Sequence, residues 1–430
     1  MKYSPISSHL FIKNREKLKK ELLPNSLVIV NSNDEMPRCG DQMFVFRQNS
    51  DLFYLTGIDQ EKTILMLCPD HPDKKMREVL LVLKSNKLIE IWYGHKYTKK
   101  EAQETSGIEN VVWEEEFEAT LKSLMYVSDH VYLNLNENPR FNTVVPYLDV
   151  RFADKIKKDY PLHDYRRLAP IITRLRVKKE QEEIDLMQIA CDITEKAFFR
   201  ILRYVKPGVM EYEVEAEIIH EFMKNRATGH AYPPIIGSGK NACVLHYLEN
   251  NQMCNEGEML LMDFGCEYAN YAADMTRTIP VSGRFTPRQR ELYDATLRVM
   301  KRTKDMMLPG ITVNEYHEQT CKLWEDEHLR LGLYSEEDIK NQDPDSPMWQ
   351  KYYMHGTSHF LGLDVHDVGS KEWKLEPGMV LTLEPGIYIP EENVGIRLEN
   401  DILITDDEPV DLMENIPIEP EEIEKFMREK

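Results

Sequence analysis

Four carboxylates sit at the ends of, or inside, the most apolar strand-like stretches of this sequence. Asp263 closes Leu260-Leu261-Met262, Asp274 lies between Ala273 and Met275, Glu384 follows Val380-Leu381-Thr382-Leu383, and Glu399 interrupts the run 396–404. An apolar strand gains by leaving water, whereas a carboxylate carried in with it needs a partner or a counter-ion. Few folds meet both demands, so whatever neutralises these acids constrains the chain strongly.

Asp263 and Asp274 flank a segment short enough for a hairpin. A two-residue turn at Tyr268-Ala269 sets 263 opposite 274 on one face, with Cβ atoms about 5 Å apart. Like charges held that close repel unless a cation lies between them. Taken alone, the pair has a plainer account, in which both acids are exposed strand ends.

A second group lies downstream. His355, His359 and His366 place three of the thirteen histidines within twelve residues, among Gly356 and Gly362. The glycines favour close backbone approach over helix. A lone histidine is ordinarily core or surface, but three so close point to a site. Glu384 ends its strand just before Pro385-Gly386, and Glu399 shares a strand face with Arg397 by the two-residue period. A buried salt bridge between those last two is the plainer account of that pair.

Together, four carboxylates and one histidine make an oxygen-rich donor set. Closed structural zinc sites favour Cys and His, and the seven cysteines (39, 68, 191, 243, 254, 266 and 321) are in the wrong places for one. Oxygen and imidazole donors suit Mn2+, Co2+ or Fe2+ at least as well as Zn2+, and four negative charges can hold two such ions. Two metals sharing a water present it as hydroxide to a carbonyl, which is hydrolase chemistry.

The rest of the chain reads as α+β. Short strand runs at 27–31, 64–68, 79–84, 89–92 and 131–135, separated by polar and helical segments, suggest an α/β unit. From Glu180, the spacing of Leu186, Ile189, Ile193, Ala197 and Ile201 predicts a helix stopped by Pro207-Gly208. Val214, Ile218, Ile219 and Phe222 predict a second. Strand runs at 259–262, 276–281, 380–383 and 396–404, with helical sequence at 287–331, give the order helix pair, hairpin, helix pair, hairpin. That order is compatible with an internal duplication. The expected boundary lies near Arg174, giving a smaller α/β domain at 1–174 and a larger domain at 175–430.

Charge and composition exclude other classes. With 54 basic and 74 acidic residues the net charge is −20, which argues against a nucleic-acid partner. No apolar run approaches the roughly 18 residues of a membrane span, and the N-terminus lacks the apolar core of a secretion signal. An odd number of scattered cysteines without a C-x-x-C pair suits a reduced, cytoplasmic protein. The tail 406–430, rich in acids, is expected to end in a short helix opened by Pro420.

His355-Gly356-Thr357-Ser358-His359 through His366-Asp367, Leu383-Glu384-Pro385-Gly386, Gly395-Ile396-Arg397-Leu398-Glu399 and the Asp263/Asp274 hairpin together resemble the pita-bread metallopeptidases, and among them the aminopeptidase P family. Arg47-Gln48-Asn49-Ser50-Asp51 with Phe53-Tyr54 is similar to that family's N-terminal domain, so the resemblance spans essentially the whole chain. It implies a pita-bread C-terminal domain that hydrolyses the N-terminal Xaa-Pro bond of peptides with proline in second position, through a hydroxide bridging two divalent metals. Manganese is the family's usual metal.

The resemblance further implies a role for each residue. Asp263 chelates one metal, Asp274 and Glu399 bridge, and His359 with Glu384 bind the other. Glu384 also carries the proton to the leaving nitrogen. His246 lines the proline pocket, His355 and His366 contact substrate carbonyls, and Tyr388 and Arg397 orient ligands. Asp51 is carried over with its N-terminal motif. Ile91-Trp92-Tyr93-Gly94 resembles a loop whose tryptophan approaches a neighbouring subunit's site in oligomeric relatives, a buried Trp92 being the alternative. A homo-oligomer, dimer or tetramer, is expected. Asn270 stands where relatives commonly carry glycine, and Asn tolerates positive φ.

Prolidase, a dipeptidase of the same fold, shares the five ligands, and cleavage of Xaa-Pro against Xaa-Pro-Xaa peptides separates the two. A non-catalytic pita-bread binding module is disfavoured because all five ligand positions are filled.

Overall fold

The computed structural model describes residues 3–429; the outer ends of the two expected domains, Met1, Lys2 and Lys430, lie outside the described residues. Two compact units are present, Tyr3–Arg176 and the chain from Val177 onward.

The first unit is built on a six-stranded mixed sheet in the order Asn110–Trp113, Glu78–Val82, Ile64–Leu67, Ser26–Asn31, His130–Leu133, Asp164–Arg167. Ser26–Asn31 is buried along its whole length, antiparallel to Ile64–Leu67 and parallel to His130–Leu133. Leu27, Ile29, Met66, Leu81 and Val131 of the sheet pack against Leu121, Leu124 and Ile156 of the helices Phe117–Val127 and Leu148–Asp159.

The expected strand at 89–92 is instead part of a helix, Lys87–Tyr93. The side chain of Asn86 caps it by accepting from the Ile89 N–H, and Gly94 at φ 77° ends it. A side-chain cap at one end and a glycine at positive φ at the other decide two turns of helix. Asn110–Trp113 and Asp164–Arg167 were not legible as strands. The latter is an edge strand of Asp-Tyr-Arg-Arg with no apolar period to reveal it.

In the second unit the long helix Gln181–Tyr204 buries Leu186, Ile193, Ala197 and Ile201 and packs on Glu211–Lys224. The strand Met259–Asp263 lies between Ile235–Ser238 and Thr276–Pro280, antiparallel to both. Its hairpin continues through Cys266–Tyr268 and Tyr271–Ala272 and closes at Ala269-Asn270, with φ 52° and 65°.

The turn is therefore one residue later than expected, and Asp263 faces Thr276 rather than Asp274. Positive φ at both turn residues suits a tight hairpin and is tolerated by Asn270, whereas a turn at Tyr268 would force a bulky aromatic into that region. Asp274 moves two positions along the strand, which preserves its face.

Two capped helices, Pro287–Lys304 and Val313–Arg330, follow. The second hairpin pairs Val380–Leu383 with Asn400–Leu403, then Gly386–Ile389 with Val394–Arg397. The expected single strand 396–404 is thus broken at Leu398-Glu399. Pro385, opposite the break, has no N–H for the ladder. The Glu399 N–H turns to the Thr276 carbonyl at 3.0 Å. Each hairpin is interrupted where its acids lie, and the interruptions face one shared site.

The tail ends in the helix Pro420–Arg428, as its composition suggests. No helix among the described residues is long and apolar enough to cross a membrane.

Candidate active site

The two interrupted hairpins meet at an isolated bridge between Thr276 and Glu399. Thr276 Oγ1 donates to Glu399 Oε2 at 2.6 Å and accepts from Arg397 Nε at 3.1 Å. Asp274, His359 and Glu399 each offer one donor atom within 4.8 Å of the others. His359 Nε2 lies 3.3 Å from Asp274 Oδ2 and 3.9 Å from Glu384 Oε1. Its Nδ1 donates to the Phe360 carbonyl at 3.0 Å, which leaves Nε2 as the atom turned to the acids.

Asp263 lies beside this group and is joined to it through Tyr232. Its Oδ1 accepts from the Tyr232 hydroxyl at 2.6 Å and its Oδ2 from Arg397 Nη2 at 2.6 Å. The same Tyr232 hydroxyl also reaches Asp274 Oδ1, so one phenol bridges both acids of the first hairpin. Nothing in the sequence marks Tyr232 as functional, because its partners lie 31 and 42 residues away. Among the described residues, the ion pair of Arg397 is with Asp263, so the plainer account of Glu399 as the salt-bridge partner of Arg397 does not hold.

From Arg397 the contacts run outward. Its Nη1 donates to the Tyr388 hydroxyl at 2.9 Å, and that hydroxyl lies 2.8 Å from His355 Nε2. His355 Nδ1 donates to the Gly356 carbonyl at 2.8 Å, and burial pushes the ring pKa down to about 3. His355 is therefore neutral, with Nε2 accepting from Tyr388. The rings of His359 and His366 meet perpendicularly at 4.4 Å, with His366 exposed to solvent. His246 is exposed in the loop after Ile235–Ser238, close enough for its charge to act on His355.

Electrostatics make the acids a demand. Burial, offset in part by Arg397 and reinforced by the charge of Asp274, raises the Asp263 carboxyl. Burial pushes Glu384 up to about 7. Glu399 rises well above the carboxylate range through burial and then the charges of Asp274 and Glu384. Burial alone would lower His359, but the hydrogen bond it donates to Asp274 and the charge of Glu384 carry it upward. Arg397 and one histidine cannot neutralise four such acids at once, so the donor set fits divalent cations.

Two expected site residues lie in the first unit. Asp51 accepts there from Asn134 Nδ2 at 2.8 Å and Arg176 Nη1 at 2.7 Å, a tie within that unit. Trp92 is 74% exposed on Lys87–Tyr93, which removes the buried alternative.

Residues 185–406, just over half of the chain, match metallopeptidase family M24. The chain belongs to that family. Residues 11–132 match the aminopeptidase P N-terminal domain, so both halves of this M24 protein have recognisable relatives. The Xaa-Pro aminopeptidase of Escherichia coli is 34% identical over 99% of this chain and 98% of its own length. Pseudomonas aeruginosa aminopeptidase PepP superposes with a TM-score of 0.89 at 32% identity, covering 98% of each chain. A zinc-substituted Escherichia coli aminopeptidase P in complex with product gives 0.87 at 33% identity, covering 99% of each. The second unit accordingly has the pita-bread fold, and the protein is a hydrolase dependent on divalent metal.

Proposed function

We propose that this M24 enzyme removes the first residue from peptides that carry proline in second position. The observation that carries the reading is the convergence of Asp274, His359 and Glu399 within 4.8 Å, in a chain similar over its full length to Xaa-Pro aminopeptidases. Asp263 and Glu384 complete a set of five donors for two divalent ions, manganese being the proposed occupant. When bound there, such ions supply Lewis acidity that activates water and polarises a carbonyl.

The chain's own residues divide the remaining work. Glu384 takes the proton of the attacking water on its carboxylate and passes it to the proline nitrogen, which has no hydrogen in the peptide and must gain one to leave. Arg397 and Tyr232 hold Asp263, and Tyr388 holds both Arg397 and His355. These contacts fix the donors in place before substrate arrives. His246 helps select the ring by shape, while His355 and His366 lie along the substrate carbonyls.

A homo-oligomer in the cytoplasm is part of the proposal. The helix Lys87–Tyr93 exposes Leu88, Ile91, Trp92 and Tyr93 together, an apolar surface that self-association would cover. All seven cysteines are free, which agrees with a reducing compartment. Sedimentation velocity of the wild type against Trp92→Ser tests the assembly, and a monomeric wild type overturns it.

The activity is tested by loading the protein with Mn2+, measuring its metal content and assaying an Xaa-Pro-Xaa tripeptide beside the Xaa-Pro dipeptide. Release of the first residue from the tripeptide is expected. Cleavage of the dipeptide alone would make the protein a dipeptidase instead.

A further inference from the structure

Glu211, outside the donor set, opens the helix Glu211–Lys224 and is fully buried. Each of its carboxylate oxygens accepts two hydrogen bonds. Oε1 takes the Ser238 N–H at 2.8 Å and Asn241 Nδ2 at 3.1 Å; Oε2 takes the Tyr247 hydroxyl at 2.8 Å and the Gln252 N–H at 2.9 Å. Four donors saturate a carboxylate. The first turn of a helix also favours its negative charge.

The four donors all belong to the segment 238–252, from its first backbone N–H to its last. That segment carries His246. Exposure alternates along it: Val244, His246 and Leu248 face solvent, while Tyr247 is buried against Ile235, Ala242, Leu261 and Tyr388, with Leu245 packed alongside. The Tyr247 hydroxyl that Glu211 holds is thus one residue from His246, on a ring packed against the Tyr388 that bonds Arg397 and His355. Beyond the paired strand end at Ser238 and the 3-10 turn Gly239–Cys243 the segment has no ladder, so its geometry rests on side-chain anchors. Of these, Glu211 holds Asn241, Tyr247 and Gln252, and Asn250 ties the segment to Ile236 and Pro234.

We propose that Glu211 is a positioning residue for substrate selection: through Tyr247 and the two ends of the segment it fixes where His246 stands, and so the fit of the site to a proline ring. The inference rests on the aminopeptidase reading above. It predicts an effect on substrate fit without loss of metal, since Glu211 touches no donor.

The test compares wild type with Glu211→Gln and Tyr247→Phe. Gln places an NH2 group against two existing donors, and Phe removes the bond to Glu211 together with two long 3.5 Å contacts to Asn251. Tyr247→Phe, the milder change, keeps the proposal testable if Glu211→Gln folds poorly. Tyr247→Phe should raise KM for an Xaa-Pro-Xaa tripeptide by about three- to tenfold, and Glu211→Gln by at least as much, with kcat within about twofold. Metal content should be unchanged, and the preference for proline over alanine in second position should fall by a similar factor. A purely structural role would lower the melting temperature without moving that preference.

Amide exchange at Ser238 and Gln252 is read in parallel and should quicken in Glu211→Gln. Unchanged KM and preference in variants that exchange faster would overturn the proposal, as would unchanged exchange in Glu211→Gln. A wild type that cleaves no Xaa-Pro peptide would overturn the aminopeptidase reading and with it the selection role, while the exchange data would still decide the anchoring.

Discussion

Arg397 Nη2 lies 2.6 Å from Asp263 Oδ2, and this ion pair joins the two hairpins of the second unit across 134 residues of sequence. Both partners are largely buried, with side-chain exposures of 4% and 13%. The same guanidinium holds Tyr388, and through it His355. It organises a donor, an orienting phenol and a candidate substrate contact at once.

Arg397→Lys tests that role. A lysine keeps the charge but cannot bond Asp263, Tyr388 and Thr276 together. Divalent-metal affinity or turnover should fall by about 10- to 100-fold, measured by equilibrium dialysis and tripeptide cleavage. Wild-type values in both would remove Arg397 from the site.

Asp274→Asn removes a charge while keeping shape. At least one metal should be lost and turnover should fall by more than about a hundredfold, since even residues that only orient ligands account for that much. Elemental analysis beside the assay decides, and normal turnover would sink the two-metal assignment.

Chelation should lower stability as well as activity. Ions held at about a hundred times their Kd contribute near 3 kcal/mol, or about 5 to 10 °C of melting temperature for a domain of this size. In the metal-free protein Glu384, Glu399 and Asp263 all have raised pKa values. Groups raised on folding stabilise below their unfolded pKa and lose that contribution as pH climbs through the folded value. The melting gap between metal-loaded and chelated protein should therefore widen from pH 5 to pH 7. A gap that narrows over that range contradicts the acid cluster.

His328 gives a pH dependence of opposite sign, away from the metal donors. It is fully buried, stacks on Trp324 at 5.2 Å, and burial pushes its pKa down to about 3. The unfolded chain takes up its proton below about pH 6.5 and the folded chain does not, so stability is lost as pH falls from there toward 3. His328→Phe should reduce the loss of unfolding free energy between pH 7 and pH 5 by about 2 kcal/mol, read by denaturant titration. Equal acid sensitivity in both proteins would show that His328 is not responsible.

The sequence by itself determined the α+β class and the long helices, and it marked the five candidate donors. Helical periodicity is local, and an acid inside an apolar run is conspicuous wherever the chain goes. The glycine-flanked histidines were legible for the same reason.

Tertiary structure alone decided which residues those donors meet. Tyr232 bridging Asp263 and Asp274, Arg397 choosing Asp263 over Glu399, and the break at Leu398-Glu399 all depend on contacts 31 to 134 residues apart or on a ladder that Pro385 interrupts. Hairpin register was open to error by a turn placed one residue early, although the two-residue period kept Asp274 on its face. Trp92 became helical because a cap at Asn86 and a stop at Gly94 outweighed the apolar run. Local pattern selects which side chains are buried; only packed geometry settles how their charges and hydrogen bonds are shared.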